Sequence, residues 1–175
     1  MPIGFLSAET VVTDLIQMIP DATLYHFGIL SSRMHMAWMR AVAGRLEMRY
    51  RFSKDIVYNN FIWPDVVGDE DIGDHEDNGD KNDEGEESPK SPLSPKSPSR
   101  SRIASAAQAV LDARAAHPNA TLADLYDPLT MPPDMVKAHA HLDALVDKAY
   151  GLSPSCTDLG RVAHLFKLYA EKTAK

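Results

Sequence analysis

YHFGILSSRMHMAWMRAVAGRLEMRYRFSKDIVYNNFIWP, residues 25–64, is the stretch whose reading decides the fold. It holds most of the aromatic side chains, and its six basic residues outnumber its two acids. Leu30, Met34, Ala37, Trp38 and Ala41 recur at helical spacing and mark one buried face, with Arg33 and Arg40 on another. A Met and aromatic cluster at this spacing reads as core rather than as a ligand surface. Gly44 is expected to end that helix in the left-handed cap conformation. Beyond it Leu46, Met48, Tyr50 and Phe52 alternate with Arg45, Glu47, Arg49, Arg51 and Ser53. This predicts one extended strand, greasy face inward and basic face outward. A guanidinium row suits phosphate oxygens and guanine edges, although charges on an edge strand also serve simply to block sheet-to-sheet association.

Working back from that stretch, Ile3–Leu6 and Val11–Ile19 read as two short strands, the second closed by Pro20-Asp21. Thr23 is the expected cap of a helical turn reaching Phe27 and broken by Gly28, and Ser31 or Ser32 caps the Arg33–Ala43 helix. Asn59-Asn60 reads as a turn and Pro64 as a stop.

Working forward, the formal charge of −7 is misleading as an average. Asp65 to Glu87 carries twelve acids against one lysine, so the −7 is −11 there and +4 elsewhere. Ordering such a segment would cost about 1–2 kcal/mol of backbone entropy per residue with little burial in return. The following SPKSPLSPKSPSRSR favours an extended polyproline-II spacer. Residues 65–102 are therefore expected to be a disordered linker between a unit at 1–64 and one at 103–175. In the latter, Ile103, Ala107, Val110 and Leu111 form one stripe, and Thr121 opens a short turn. Pro132-Pro133 starts a helix with Met135, Leu142, Leu145, Val146, Ala149 and Tyr150 on one side, stopped by Gly151. Thr157 precedes a last helix with Leu159, Val162, Ala163, Phe166, Tyr169 and Ala170 on one side. The expected fold class is α+β, mostly α: short strands with a Met-rich helix, a linker and a small helical bundle.

The single Cys156 excludes an internal disulfide, and the pairs His26/His35 and His139/His141 lack zinc-ligand spacing. No window matches a signal peptide or a membrane span, so no membrane partner and a cytoplasmic setting are expected.

HFGILSSRMHMAWMRAVAGRL, followed by YRFSKDIVYNNF and Trp63-Pro64, resembles the end of the target-recognition domain of MmeI-like restriction–modification enzymes, a class IIS and adenine-specific DNA methyltransferase family. AAQAVLDARAAHPNATLADLYDPLTMPPDMVKAHAHLDALVDKAYG, with RVAHLFKLY after it, resembles the C-terminal helical domain of the same family. The resemblance implies binding of double-stranded DNA, with Arg33, Arg40, Arg45, Arg49, Arg51, Ser53, Lys54, Asn59 and Asn60 as the contacting residues. It also implies upstream methyltransferase and nuclease domains, in the same enzyme or a split partner, that use S-adenosylmethionine and Mg2+. Their Asn-Pro-Pro-aromatic motif is missing; Asn59-Asn60-Phe61 lacks both prolines, and Ile62 stands where the family pattern has Pro. The expectation is a truncated or separately encoded piece without catalytic, cofactor or metal residues of its own. The competing reading is an interaction protein whose helical domain binds a partner while residues 1–64 are vestigial.

Overall fold

The computed structural model describes residues 3–13, 16–66 and 98–174. Residues 67–97 of the linker expected at 65–102 lie outside them. In chain order the elements are α1 (Leu24–Ser31), α2 (Arg33–Val42), β1 (Gly44–Leu46), β2 (Arg49–Arg51), a π-helical turn (Lys54–Tyr58), α3 (Arg100–Ala115), α4 (Leu122–Leu125), α5 (Pro133–Ala149) and α6 (Asp158–Thr173). Among the described residues the β structure is one two-stranded hairpin, so the architecture is α+β and mostly α, as the sequence predicts.

The helix ends follow from local chemistry. Thr23 precedes α1, and the His26 ring reaches back so that its Nδ1 takes the Thr23 amide at 3.1 Å. Thr121 and Asp124 exchange cap bonds around α4, at 3.2 Å to the Asp124 amide and 2.9 Å to the Thr121 amide. Pro132 and Pro133 open α5, and Gly151, at φ +72°, closes it where a Cβ would be strained. Thr157 accepts the Gly160 amide at 3.2 Å to start α6.

Other expectations are corrected. Residues 3–6 and the described part of 11–19 form no strand; Val11 is 97% exposed, and with no neighbouring strand a β-branched run has nothing to pair with. Gly28 does not interrupt a helix. It lies inside α1, where a Cβ would come within 3.1 Å of both Ala107 Cβ and Ile103 Cγ2, so its missing side chain lets α1 and α3 approach. The α2 helix ends at Ala43 with ordinary φ of −67°, and Gly44 opens β1 instead of capping. Helix α3 begins at Arg100, inside the stretch expected to be linker, with Pro98 and Ser99 already buried.

One hydrophobic core runs through both flanks of the linker. Phe27, Ile29, Met34, Trp38, Val57 and Phe61 from the first pack with Ile103, Ala107, Val110, Leu142, Val146 and Leu165 from the second. The Met34–Trp38 cluster is core, as its spacing predicts, although Ala41 is exposed. Helix α1 lies on α3, α3 on α5, and α2 on α6. The last of these rotates α6 away from the expected register: Arg161 and Leu165 are buried, while Leu159 is 80% and Phe166 47% exposed. The three long C-terminal helices, α3, α5 and α6, thus do not close on one another alone; α6 leans on α2.

Candidate nucleic-acid interface

The basic strand read from the alternation is a hairpin. Strands β1 and β2 pair antiparallel, Gly44 with Arg51, Arg45 with Tyr50 and Leu46 with Arg49, and Glu47-Met48 form the turn. Glu47 adopts φ +55°, a left-handed conformation that glycine or asparagine usually supplies at such turns. Directly paired residues project to the same face. Leu46, Arg49 and Arg51 therefore share one face, and Arg45 and Tyr50 the other. The single row of three arginines expected from the sequence does not exist, and no greasy face turns inward: Leu46, Met48 and Tyr50 are all exposed, and Phe52 is the first of the series to pack on the core.

The two faces differ electrostatically. Arg45 lies over the Tyr50 ring, 4.7 Å from its centroid, and donates to the Tyr50 hydroxyl at 3.1 Å. The side chains of Arg49 and Arg51 are exposed and have no hydrogen-bond or ion-pair partner among the described residues, so they can present their guanidinium donors to an anion. The segment that follows the hairpin is anchored in the core. Trp38 Nε1 donates to Val57 O at 2.9 Å within the core, fixing the π-helical turn that follows β2. Asn60 donates to Asp55 O at 2.8 Å and Ile56 O at 3.2 Å, and Asn59 to Asp55 Oδ1 at 3.4 Å. The Asn pair thus makes the predicted turn. Lys54 is exposed, 4.0 Å from Asp55, and Ser53 is half-buried at the start of the turn.

Two other candidate arginines are already engaged. Arg33 pairs with Asp143 at 3.3 Å, and its amide donates to the same carboxylate at 2.7 Å, so an α5 side chain caps α2. Burial pushes Asp143 up to about 6 despite that positive neighbour. Arg40 pairs with Asp158 at 3.1 Å, with both side chains half exposed.

Three groups escaped the sequence reading. The guanidinium of buried Arg161 forks onto buried Asp147, at 2.8 and 2.6 Å, and this bond holds Arg161 above its ordinary range. Arg114 donates to the Tyr126 hydroxyl and, at 2.7 Å, to Ile3 O, while its guanidinium covers the Phe27 and Tyr126 rings. The Tyr126 hydroxyl meets His139 Nε2 at 2.7 Å, and burial, helped by the charges of Arg114 and Arg33, pushes His139 down to about 4. His35 is fully buried with Nδ1 2.9 Å from Leu30 O, and burial lowers it to about 4 as well. The Arg161, Arg114 and His139 contacts join residues twelve or more positions apart, and the His35 contact goes to a main-chain oxygen five positions back, so none leaves a side-chain pattern in the sequence. Among the described residues no cluster of three or more metal-ligating side chains occurs, and no helix is long and apolar enough to cross a membrane.

Residues 1–65 match the family MmeI, target recognition domain, and residues 95–175 match MmeI, C-terminal domain. The chain is 35% identical over 175 residues to DNA methyltransferase A of Bacillus subtilis (strain 168), covering 100% of this chain and 16% of that protein. It is also similar to a solved structure of the Type IIL restriction-modification enzyme MmeI in complex with DNA, with 39% identity and a TM-score of 0.70. That match covers 90% of this chain and 17% of the other, so the chain spans about a sixth of the length of either relative. With two MmeI domains matched in order on either side of the acidic stretch, and the fold shared with MmeI itself, the chain belongs to the MmeI-like restriction–modification family.

Proposed function

We propose that this chain is the DNA-reading part of an MmeI-like enzyme, with the hairpin as its DNA-facing surface and the C-terminal helices as its brace. The observation that carries this is the exposed guanidinium pair Arg49 and Arg51, without side-chain partners among the described residues and on one face of a ribbon within the segment matched by the target recognition domain. Arg45, on the ribbon's other face, and Ser53 and Lys54, just after β2, suit phosphate contacts, which position a protein on a duplex without reading sequence. Arg33 and Arg40 contribute less net charge because Asp143 and Asp158 already neutralise them. Asn59 and Asn60 spend amide donors on the turn and keep their side-chain oxygens for the nucleic acid. Methylation and cleavage belong, on this reading, to further domains of the family. S-adenosylmethionine and Mg2+ would bind there and not here.

A salt titration of duplex binding tests the proposal. The logarithm of the affinity should fall with the logarithm of salt concentration at a slope of about −0.9 for each phosphate neutralised. Replacing Arg49 and Arg51 together by Ala should flatten that slope by about 0.9 for every phosphate no longer neutralised, whereas Arg33→Ala should change it less. Binding that is independent of salt, or a slope untouched by the double substitution, overturns it.

A second reading rests on α6. Leu159, Ala163, Phe166 and Ala170 recur at helical spacing yet are exposed, and such a face suits protein docking. On this reading the helical domain holds the chain to the rest of its enzyme. Loss of co-purification with the methyltransferase domain on Leu159→Ser and Phe166→Ser, with DNA affinity of the isolated chain unchanged, would identify that role.

A further inference from the structure

The hairpin tip presents a feature that phosphate binding does not use. Met48 is 89% and Leu46 67% exposed, the one at the turn and the other on the face that carries Arg49 and Arg51. Neither touches the core, and strands of three residues offer little edge for another strand to pair with. Large apolar side chains beside exposed guanidinium groups are a poor surface for water and a good one for a mixed polar and apolar groove. The width of the ribbon chooses the groove. Two strands about 4.8 Å apart with their side chains need about the 12 Å of a B-DNA major groove and exceed the roughly 6 Å of the minor groove. In the major groove each base pair shows hydrogen-bonding atoms, and the apolar group on offer is the C5-methyl of thymine.

We infer that Met48, supported by Leu46, reads a thymine methyl group in the major groove next to the bases and phosphates engaged by Arg49 and Arg51. This deepens the DNA-reading proposal and depends on it. Glu47 is part of the device. Its left-handed backbone turns the chain tightly enough to put Met48 at the apex, with the two arginines following on β2.

The test uses the full chain and duplexes that it retains from a randomised pool. Each thymine of a retained duplex is replaced in turn by deoxyuridine, which removes one methyl group and leaves every hydrogen-bonding atom in place. Withdrawing one methyl group from water corresponds to about a fourfold change in affinity. The expected result is one or two thymines at which deoxyuridine weakens binding by about that factor. In Met48→Ala and in the equally long Met48→Gln the thymine and deoxyuridine duplexes should bind alike, with the salt slope of the wild type retained. Both positions are solvent-exposed, so unchanged far-ultraviolet circular dichroism is expected of the variants. Retained duplexes at which no thymine is sensitive overturn the methyl contact while leaving DNA reading intact. A sensitivity that persists in Met48→Ala combined with Leu46→Ala also overturns it, because the methyl group then meets another residue. Failure to retain any duplex removes the DNA-reading proposal, and this inference with it.

Discussion

Replacing Arg161 by Met should destabilise the chain by about 3–5 kcal/mol, the usual cost of stranding one partner of a buried ion pair. The geometry singles out this residue. Its side chain is 3% exposed, and two of its bonds go to an Asp147 carboxylate that is 1% exposed. The third bond, to Asp158 at 3.1 Å, reaches a carboxylate that is half in water and adds little. Met fills much of the arginine stem volume, so the loss measures the stranded Asp147 charge rather than a cavity. Against a total stability of about 5–15 kcal/mol for a domain, such a change should be plain in urea unfolding followed by circular dichroism. The companion variant, Arg161→Met with Asp147→Leu, removes both charges and should recover most of the loss, since apolar replacements of a whole buried pair are often neutral or stabilising. A single substitution that costs less than about 1 kcal/mol would put this pair in the class of surface bridges. A double variant as unstable as the single one would show that the stranded charge is not the cause.

Acidification should weaken the fold between about pH 6.5 and 4. His35, pushed to about 4, takes up a proton in the unfolded chain before it does so in the folded one, a loss of up to about 3 kcal/mol across that window. His139, also near 4, acts in the same direction, whereas Asp143, raised to about 6, gains stability as the pH falls through 6 and so offsets part of the loss. A urea midpoint lower at pH 5 than at pH 7, with the drop reduced in His35→Phe, is the expected outcome; a rise would refute it. Gly28→Val should cost about 1–3 kcal/mol by crowding Ala107, Ile103 and Leu142, and Ala107→Gly in the same chain should return part of it in the same assay. Tyr150→Phe removes the 2.7 Å bond to Ile62 O and should cost about 1 kcal/mol.

The sequence made legible those features that neighbours in the chain decide. Thr121, Thr157, Pro133 and Gly151 mark helix ends because caps are satisfied within a few residues, and the stripes on α3 and α5 face the core as their spacing predicts. The hairpin escaped for a reason of parity. In one strand Leu46 and Arg49 point to opposite faces, but across a two-residue turn they become partners on the same face. The usual Asn-Gly or Asp-Gly signal is absent, since Glu47 accepts the left-handed conformation itself. The register of α6 escaped because hydrophobicity alone puts Leu159 and Phe166 inside and Arg161 outside. That order reverses once Asp147, on another helix, supplies a buried partner. Strands expected at the N-terminus failed because β-branched composition gives a preference without a partner strand.

The acidic stretch divides two sequence units without dividing the core, and this carries a last prediction. Helix α1 buries Phe27 and Ile29 against α3, and Asp143 of α5 caps α2. Trp38 lies 5.3 Å from Phe166 and 6.4 Å from Tyr169, and the Tyr150 hydroxyl reaches back to Ile62. A polypeptide of residues 1–66 would expose these side chains, and one of residues 98–175 would lose the helix that α6 rests on. Produced separately, neither should show a cooperative urea transition; mixed, they should associate and recover helical signal together with one. A transition for either piece alone at the midpoint of the intact chain would refute this and would make the linker a true boundary between folding units. If the pieces do need each other, the C-terminal helices set the orientation of the arginine hairpin through α2. A core substitution far from the ribbon, such as Gly28→Val, should then weaken duplex binding in proportion to the unfolding it causes, and leave the salt slope of the folded fraction unchanged.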